Sequence, residues 1–148
     1  MTKCMYFVGS NNCPETADFK LTDFSSRSVM ENNGWSFDIT DDATTDTGYE
    51  SKCNMHGTYY GWKFPGVGKI SATFAGSGTA KLDYGNCHNM GYVNVHLSGE
   101  LLDGASANTP SKLFSFNFSP NDVLMLEETD GNTVIKFNSL DLSCGKTF

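Results

Sequence analysis

Arginine is nearly missing from this 148-residue chain, with Arg27 its single representative. Charged residues reach only 18%, below the usual share near one quarter. Ten basic against seventeen acidic side chains leave a formal net charge of −7. A chain of that sign repels phosphate backbones and anionic lipid, which argues against nucleic-acid partners and against membrane docking. Long apolar runs are absent as well. Met5-Tyr6-Phe7-Val8 is too short for a signal-peptide core or a membrane span, so no membrane insertion is expected. No stretch carries a convincing helical period. No P-loop, dinucleotide fingerprint or serine-hydrolase elbow is present. Ala75-Gly76-Ser77-Gly78-Thr79 sets glycines directly beside its serine, the wrong spacing for G-x-S-x-G. No C-x-x-C pair occurs among the five cysteines.

What is abundant points to strands and turns. Aromatics make up 13% and glycine supplies 15 residues. Two-residue alternation dominates from Trp35 onward. Trp35, Phe37 and Ile39 share one face; so do Ile70, Ala72 and Phe74, and Ala80, Leu82 and Tyr84. Val93, Val95 and Leu97 alternate with Asn94 and His96, and Phe114, Phe116 and Phe118 with Ser115 and Asn117. These are half-buried antiparallel strands. Ser98-Gly99 and Asp130-Gly131 read as tight hairpins, and Pro120-Asn121-Asp122 as a turn. Apolar parity slips between Ile135/Phe137 and Leu140/Leu142, which a bulge near Asn138-Ser139 explains. About eight or nine short strands are expected, in an all-β fold: a two-sheet antiparallel β-sandwich of jelly-roll type, with a barrel as the alternative. The expected organisation is an irregular N-terminal arm over residues 1–17 and a single sandwich domain over 18–148.

Cys4, Cys13, Cys53, Cys87 and Cys144 are dispersed along an acidic, Gly/Asn/Ser/Thr-rich chain, which suits disulfides in an oxidising compartment. Cys13, Cys53, Cys87 and Cys144 are the candidates, with Cys4 or Cys13 the odd thiol; buried reduced thiols are the alternative. The implied location is extracellular or at the cell surface, with a cytosolic one as the alternative.

The region from Gly66 to Cys144 resembles the galactose-binding-like jelly rolls, a group that includes many carbohydrate-binding modules. The resemblance rests on Gly91-Tyr92-Val93-Asn94-Val95-His96-Leu97-Ser98-Gly99-Glu100, on Phe116-x-Phe118-x-x-x-Asp122-Val123-Leu124-x-Leu126, and on Gly131 to Leu140. It implies a mostly non-catalytic sandwich that often presents a glycan site. It also implies a structural calcium near the first and last strands, which on this chain points to Asp18, Asp23 and Asp141.

The candidate chemistry follows from residue types. Tyr59-Tyr60-Gly61-Trp62 forms an aromatic run, and aromatic faces stack on the C–H faces of sugars. Core packing is the competing role for the same residues. His56, Asn86, His88 and Asn89 supply hydrogen-bonding groups for hydroxyls. A Cys53–Cys87 bond would bring these loops beside the aromatic run. Zinc at Cys53, His56, Cys87 and His88 is disfavoured, because adjacent Cys87 and His88 point to opposite faces of a strand. Asp38, Asp41, Asp42, Asp46 and Glu50 form an acidic segment without calcium-loop spacing. Glu127 and Glu128, as neighbours on a strand, also face opposite ways, which disfavours a glycosidase pair. The expected activity is non-catalytic recognition of carbohydrate or a similar polar ligand. The alternative is a structural, self-associating protein of a matrix, coat or mineral layer.

Overall fold

The computed structural model describes residues 6–10, 18–24, 26–39, 48–50, 61–63, 68–87, 91–129 and 133–144. For Ile39 and residues 48–50 and 61–63 it describes the backbone. Among these residues the chain forms eleven strands and one helix. They run β1 (Asp18–Leu21), α1 (Arg27–Asn32), β2 (Ser36–Ile39), β3 (Gly48–Glu50), β4 (Gly61–Lys63), β5 (Gly68–Thr73) and β6 (Gly78–Asn86). The series continues with β7 (Tyr92–Leu97), β8 (Glu100–Ser106), β9 (Thr109–Phe118), β10 (Val123–Glu128) and β11 (Ile135–Cys144).

Two antiparallel sheets face each other. One has the order β3-β4-β11-β6-β9, with β1 also pairing β11; the other has the order β2-β5-β10-β7-β8. The alternation read from the sequence decides what lies between them. Ile70, Phe74, Leu82, Tyr84, Val93, Val95, Leu124 and Leu126 are fully buried, while their odd-numbered or even-numbered neighbours face outward. This is the expected all-β two-sheet sandwich, and the bulge expected near Asn138-Ser139 lies between Phe137 and Ser139 in the β11–β6 ladder. Ser98 and Gly99 both have positive φ, 50° and 87°, so β7 and β8 join through the primed type of two-residue turn.

Three expectations change. The strand count exceeds eight or nine, because β1, β3 and β4 are only three or four residues long and too short to show a period. A helix exists where none was expected. Its six residues bury one side chain, Met30, and a turn and a half cannot display a 3.6-residue repeat. The Ser26 hydroxyl caps it by accepting from the Val29 amide, and Arg27 pairs with Glu31 at 3.4 Å while lying over the Phe37 ring. Finally, Asp130-Gly131 lies outside the described residues, and the strands that flank it are not paired as a hairpin. Strand β10 belongs to one sheet and β11 to the other, so the chain crosses between layers there.

The N-terminal residues contribute to the core. Phe7 bridges to Phe74, Val8 donates to the Thr73 carbonyl at 2.8 Å, and Tyr6 and Phe7 are both buried. Gly34 permits this approach. Its φ is +94°, and an added Cβ would stand 2.8 Å from both Phe7 Cβ and the Val8 carbonyl oxygen.

Candidate functional site at one end of the sandwich

Strand β6 runs the length of the larger sheet and marks its two ends. Gly78 lies opposite Cys144 and Phe118 at one end, and Asn86 lies opposite Ile135 and Thr109 at the other. At the Asn86 end the register continues outward, from Ile135 to Trp62 on β4 and from Trp62 to Tyr49 on β3. Tyr49, Trp62, Ile135 and Asn86 therefore form one row across four strands. Adjacent strands lie about 4.8 Å apart, so the backbones of Trp62 and Asn86 are separated by roughly 10 Å.

This end has a distinct interior. Among the described residues the buried polar side chains are Asn86, Glu128 and Thr133. Asn86 sits at the end of β6, Glu128 at the end of β10, and Thr133 just before β11. Burial of such groups is costly unless they are hydrogen-bonded. Asn86 Nδ2 donates to the Gly91 carbonyl at 3.2 Å, and its Oδ1 accepts from the Val134 amide at 3.5 Å. The Cys87 amide donates to the Val134 carbonyl at 3.1 Å. Across the neighbouring turn, Thr129 and Tyr92 are doubly tied: the Thr129 amide donates to the Tyr92 carbonyl, and the Tyr92 amide to Thr129 Oγ1. Asn86 thus clamps the segment entering β7 to the segment entering β11. It was expected to meet a ligand; its amide is instead spent inside the fold, where it positions this end.

Thr133 was not singled out in advance, and Glu128 was weighed only as the neighbour of Glu127. The signal for Glu128 was present, because it continues the inward series Leu124, Leu126. The expected opposition of Glu127 and Glu128 holds, with Glu127 outward and half-buried and Glu128 inward and fully buried.

The other expected site residues separate as follows. Tyr59, Tyr60, His56, His88 and Asn89 lie outside the described residues, and for Trp62 the backbone alone is described. Asp18 lies opposite Ser143, Asp141 opposite Lys20, and Asp23 beyond the end of β1. Lys20 Nζ stands 3.9 Å from Asp141 Oδ1, so a side-chain cation already faces that carboxylate. Among the described residues no group of three or more His, Cys, Asp or Glu is placed to hold a metal ion, and the three aspartates do not converge as calcium ligands.

Cys87 is buried at the end of β6, and Cys144 packs partly buried against the core at the end of β11. They cannot be bonded to each other. Cys144 pairs with Gly78, and Cys87 lies nine residues farther along the same strand direction, about 30 Å away.

No protein-family model matches the chain. A search of curated proteins finds no match either. Solved structures do match. The CBM51-2 and INT domains of ZmpB from Clostridium perfringens align at TM-score 0.50 and 13% identity, over 85% of this chain and 32% of that one. The C-terminal CBM6 of LamC, a marine laminarinase from Zobellia galactanivorans, aligns at TM-score 0.44 and 16% identity, over 85% of this chain and 98% of that one. A family two carbohydrate esterase from Cellvibrio japonicus aligns at TM-score 0.44 and 11% identity, over 75% of this chain and 34% of that one. At such identities the likeness is one of fold, a jelly-roll β-sandwich.

Proposed function

We propose that this protein is a non-catalytic binding module that recognises carbohydrate, or a similar neutral polar ligand, at the Asn86 end of the sandwich. One observation supports the reading above the rest. The register sets Trp62, the centre of the aromatic run, in one row with Asn86, next to which lies Cys87. That row brings the backbone of the aromatic run within two strands of the Asn86 end, and stacking of its rings on sugar C–H faces is part of the proposal. The fold is compatible with this role but does not assign it. An extracellular or cell-surface setting, with disulfides among the five cysteines, belongs to the same proposal.

A glycan array tests the proposal, followed by calorimetry on Trp62→Ala. The expected result is binding by the parent protein and a loss of about tenfold or more in the variant, equivalent to about 1.4 kcal/mol, with the melting temperature recorded in parallel. An unchanged array signal in a folded Trp62→Ala protein would overturn it.

Self-assembly is a second reading with its own observation. Strand β9 is ten residues long, lies at the edge of its sheet and exposes Leu113. Long edge strands offer unpaired backbone groups for strand addition. Size-exclusion chromatography with and without reductant tests it, a concentration-independent monomer being the opposing result.

A further inference from the structure

On the outward face of the larger sheet a lysine, an asparagine and an aspartate meet at the bulge of β11. Alternation places two of them. Leu82 and Tyr84 of β6 turn inward, so Asp83 between them turns outward. Ile135 and Phe137 of β11 turn inward, so Lys136 turns outward. Asn138 is the extra residue of the bulge between Phe137 and Ser139, and a bulge re-aims its side chain. Here it is aimed at Asp83. Asn138 Nδ2 donates to Asp83 Oδ1 at 2.9 Å and to the Pro110 carbonyl at 3.0 Å, while its Oδ1 accepts from Lys136 Nζ.

The cluster is partly covered. Lys136 lies opposite Gly85, and the start of β9 crosses above that glycine: an added Cβ would stand 2.5 Å from the Pro110 carbonyl oxygen. Lys136, Asn138 and Asp83 are each half-buried. Ser111 Oγ also donates to Asp83 Oδ1, at 2.6 Å, and so steadies the carboxylate. Lys20, Lys69 and Lys112 stand 3.9, 3.6 and 3.2 Å from carboxylate oxygens. Lys136 Nζ meets a carboxamide oxygen, one bond away from an electrophilic carbon. Burial lowers the pKa of the Lys136 ammonium, against an upward pull from Asp83, and this raises the share of neutral, nucleophilic amine.

We propose that Lys136 and Asn138 join in an intramolecular isopeptide bond, with Asp83 as the proton carrier. Asp83 accepts one proton from the Lys136 ammonium. Rotation at the end of the lysine side chain carries Nζ from Oδ1 to the adjoining Cγ. The Nζ electron pair forms the Nζ–Cγ bond, and the C=O π pair moves to Oδ1. That pair returns as the Cγ–Nδ2 bond breaks, and Nδ2 leaves with the proton held by Asp83. The second proton lost from Nζ goes to the departing ammonia. An ammonium and a carboxamide thus become a secondary amide and an ammonium ion, and the balance closes without a co-reactant. Holding the three groups in contact supplies the proximity that the free side chains lack in water. The bond staples the bulge at the start of β11, beside Ile135, which pairs with Trp62 in the outer row. Reductant does not open it.

Mass spectrometry of the whole chain, reduced and denatured, tests the proposal. The parent is expected to weigh one ammonia less than its sequence, about 17 Da. The loss should map to the segment from Lys136 to Asn138, and trypsin should not cleave after Lys136. An imide at an asparagine has the same mass but is cleaved by hydroxylamine, which leaves an isopeptide intact. Lys136→Arg is expected to restore the full sequence mass. So is Asp83→Asn, or Asp83→Ala if the first variant does not fold, with folding read by circular dichroism. A parent at full sequence mass overturns the bond, as does a loss that maps elsewhere or yields to hydroxylamine. An undiminished loss in the folded Asp83 variant would overturn the part given to the carboxylate.

Discussion

The two ends of the sandwich interior are built on opposite principles. At the Gly78 end, Phe74 stacks on Phe118 with ring centroids 3.9 Å apart, Phe7 packs on Phe74 at 4.9 Å, and Phe116 meets Phe74 edge-on at 6.2 Å. Trp35 extends this cluster to Phe137 and Phe24. At the Asn86 end the interior holds an amide, a carboxyl and a hydroxyl. The aromatic end gains stability from area removed from water, without direction. The polar end must satisfy each buried group with a directed partner, which fixes the geometry of the segments around it. One strand, β6, serves both. The proposed site lies at the polar end, where directed bonds hold the segments in register.

The largest expected effect comes from breaking the aromatic end. Phe74→Ala removes a fully buried ring that meets Phe7, Phe116 and Phe118. Truncations of this kind cost about 3–5 kcal/mol. For a chain of this size that lowers the melting temperature by roughly 10 °C or more. Sugar affinity measured well below the new melting point is expected to stay unchanged. A loss of affinity in the still-folded variant would dissolve the distinction between the ends.

Asn86→Leu probes the other end. It keeps volume and burial but deletes the bonds to Gly91 and Val134, leaving a buried carbonyl and amide without their partner. The expected cost is about 2 kcal/mol in urea unfolding, less than for Phe74→Ala. Unlike Phe74→Ala, this variant is expected to lose sugar affinity as well. Unchanged affinity would mean that the clamp has no bearing on recognition.

These two ends were not equally legible in the sequence. The aromatic end follows from parity alone: Phe74, Phe116, Phe118 and Leu142 each sit in phase with their strand, and the structure buries them all. The slip at Asn138 was legible for the same reason. Parity also set Glu128 inward, yet a charged residue in a buried phase reads as surface unless its partners are known. The clamp at Asn86 was hard to read, because its two partners, Gly91 just before β7 and Val134 just before β11, meet only in the fold, and Val134 is 48 positions away. The layer assignment of β10 and β11 was equally hidden, since a turn sequence does not record whether the chain pairs back or crosses over. Candidate site residues in the aromatic run and at 88–89 fall outside the described residues, so register alone links their flanks.

The smallest expected effect lies at the boundary between the two regimes, where Tyr84 turns a buried ring toward a polar edge. Its hydroxyl donates to Asp103 Oδ2 at 2.5 Å, and Lys112 Nζ stands 3.2 Å from Asp103 Oδ1 while donating to the Gly104 carbonyl. Burial, reinforced by the bond to Asp103, pushes the Tyr84 phenol well above its ordinary value of 10. The folded chain therefore holds a proton that the unfolded chain releases near pH 10, so this contribution to stability is complete below pH 10 and falls as pH rises above it. Tyr84→Phe is expected to cost about 1 kcal/mol at neutral pH, because Asp103 keeps Lys112. Above pH 10 the variant should lose stability less steeply than the parent. Some slope should remain, since burial and Asp18 also raise the Tyr6 phenol. Unfolding by urea at pH 7, 10 and 11 reads both quantities. Parallel pH dependence in parent and variant would show that the Tyr84 hydroxyl is not held in the folded state, and that the apolar regime runs unbroken to the sheet edge.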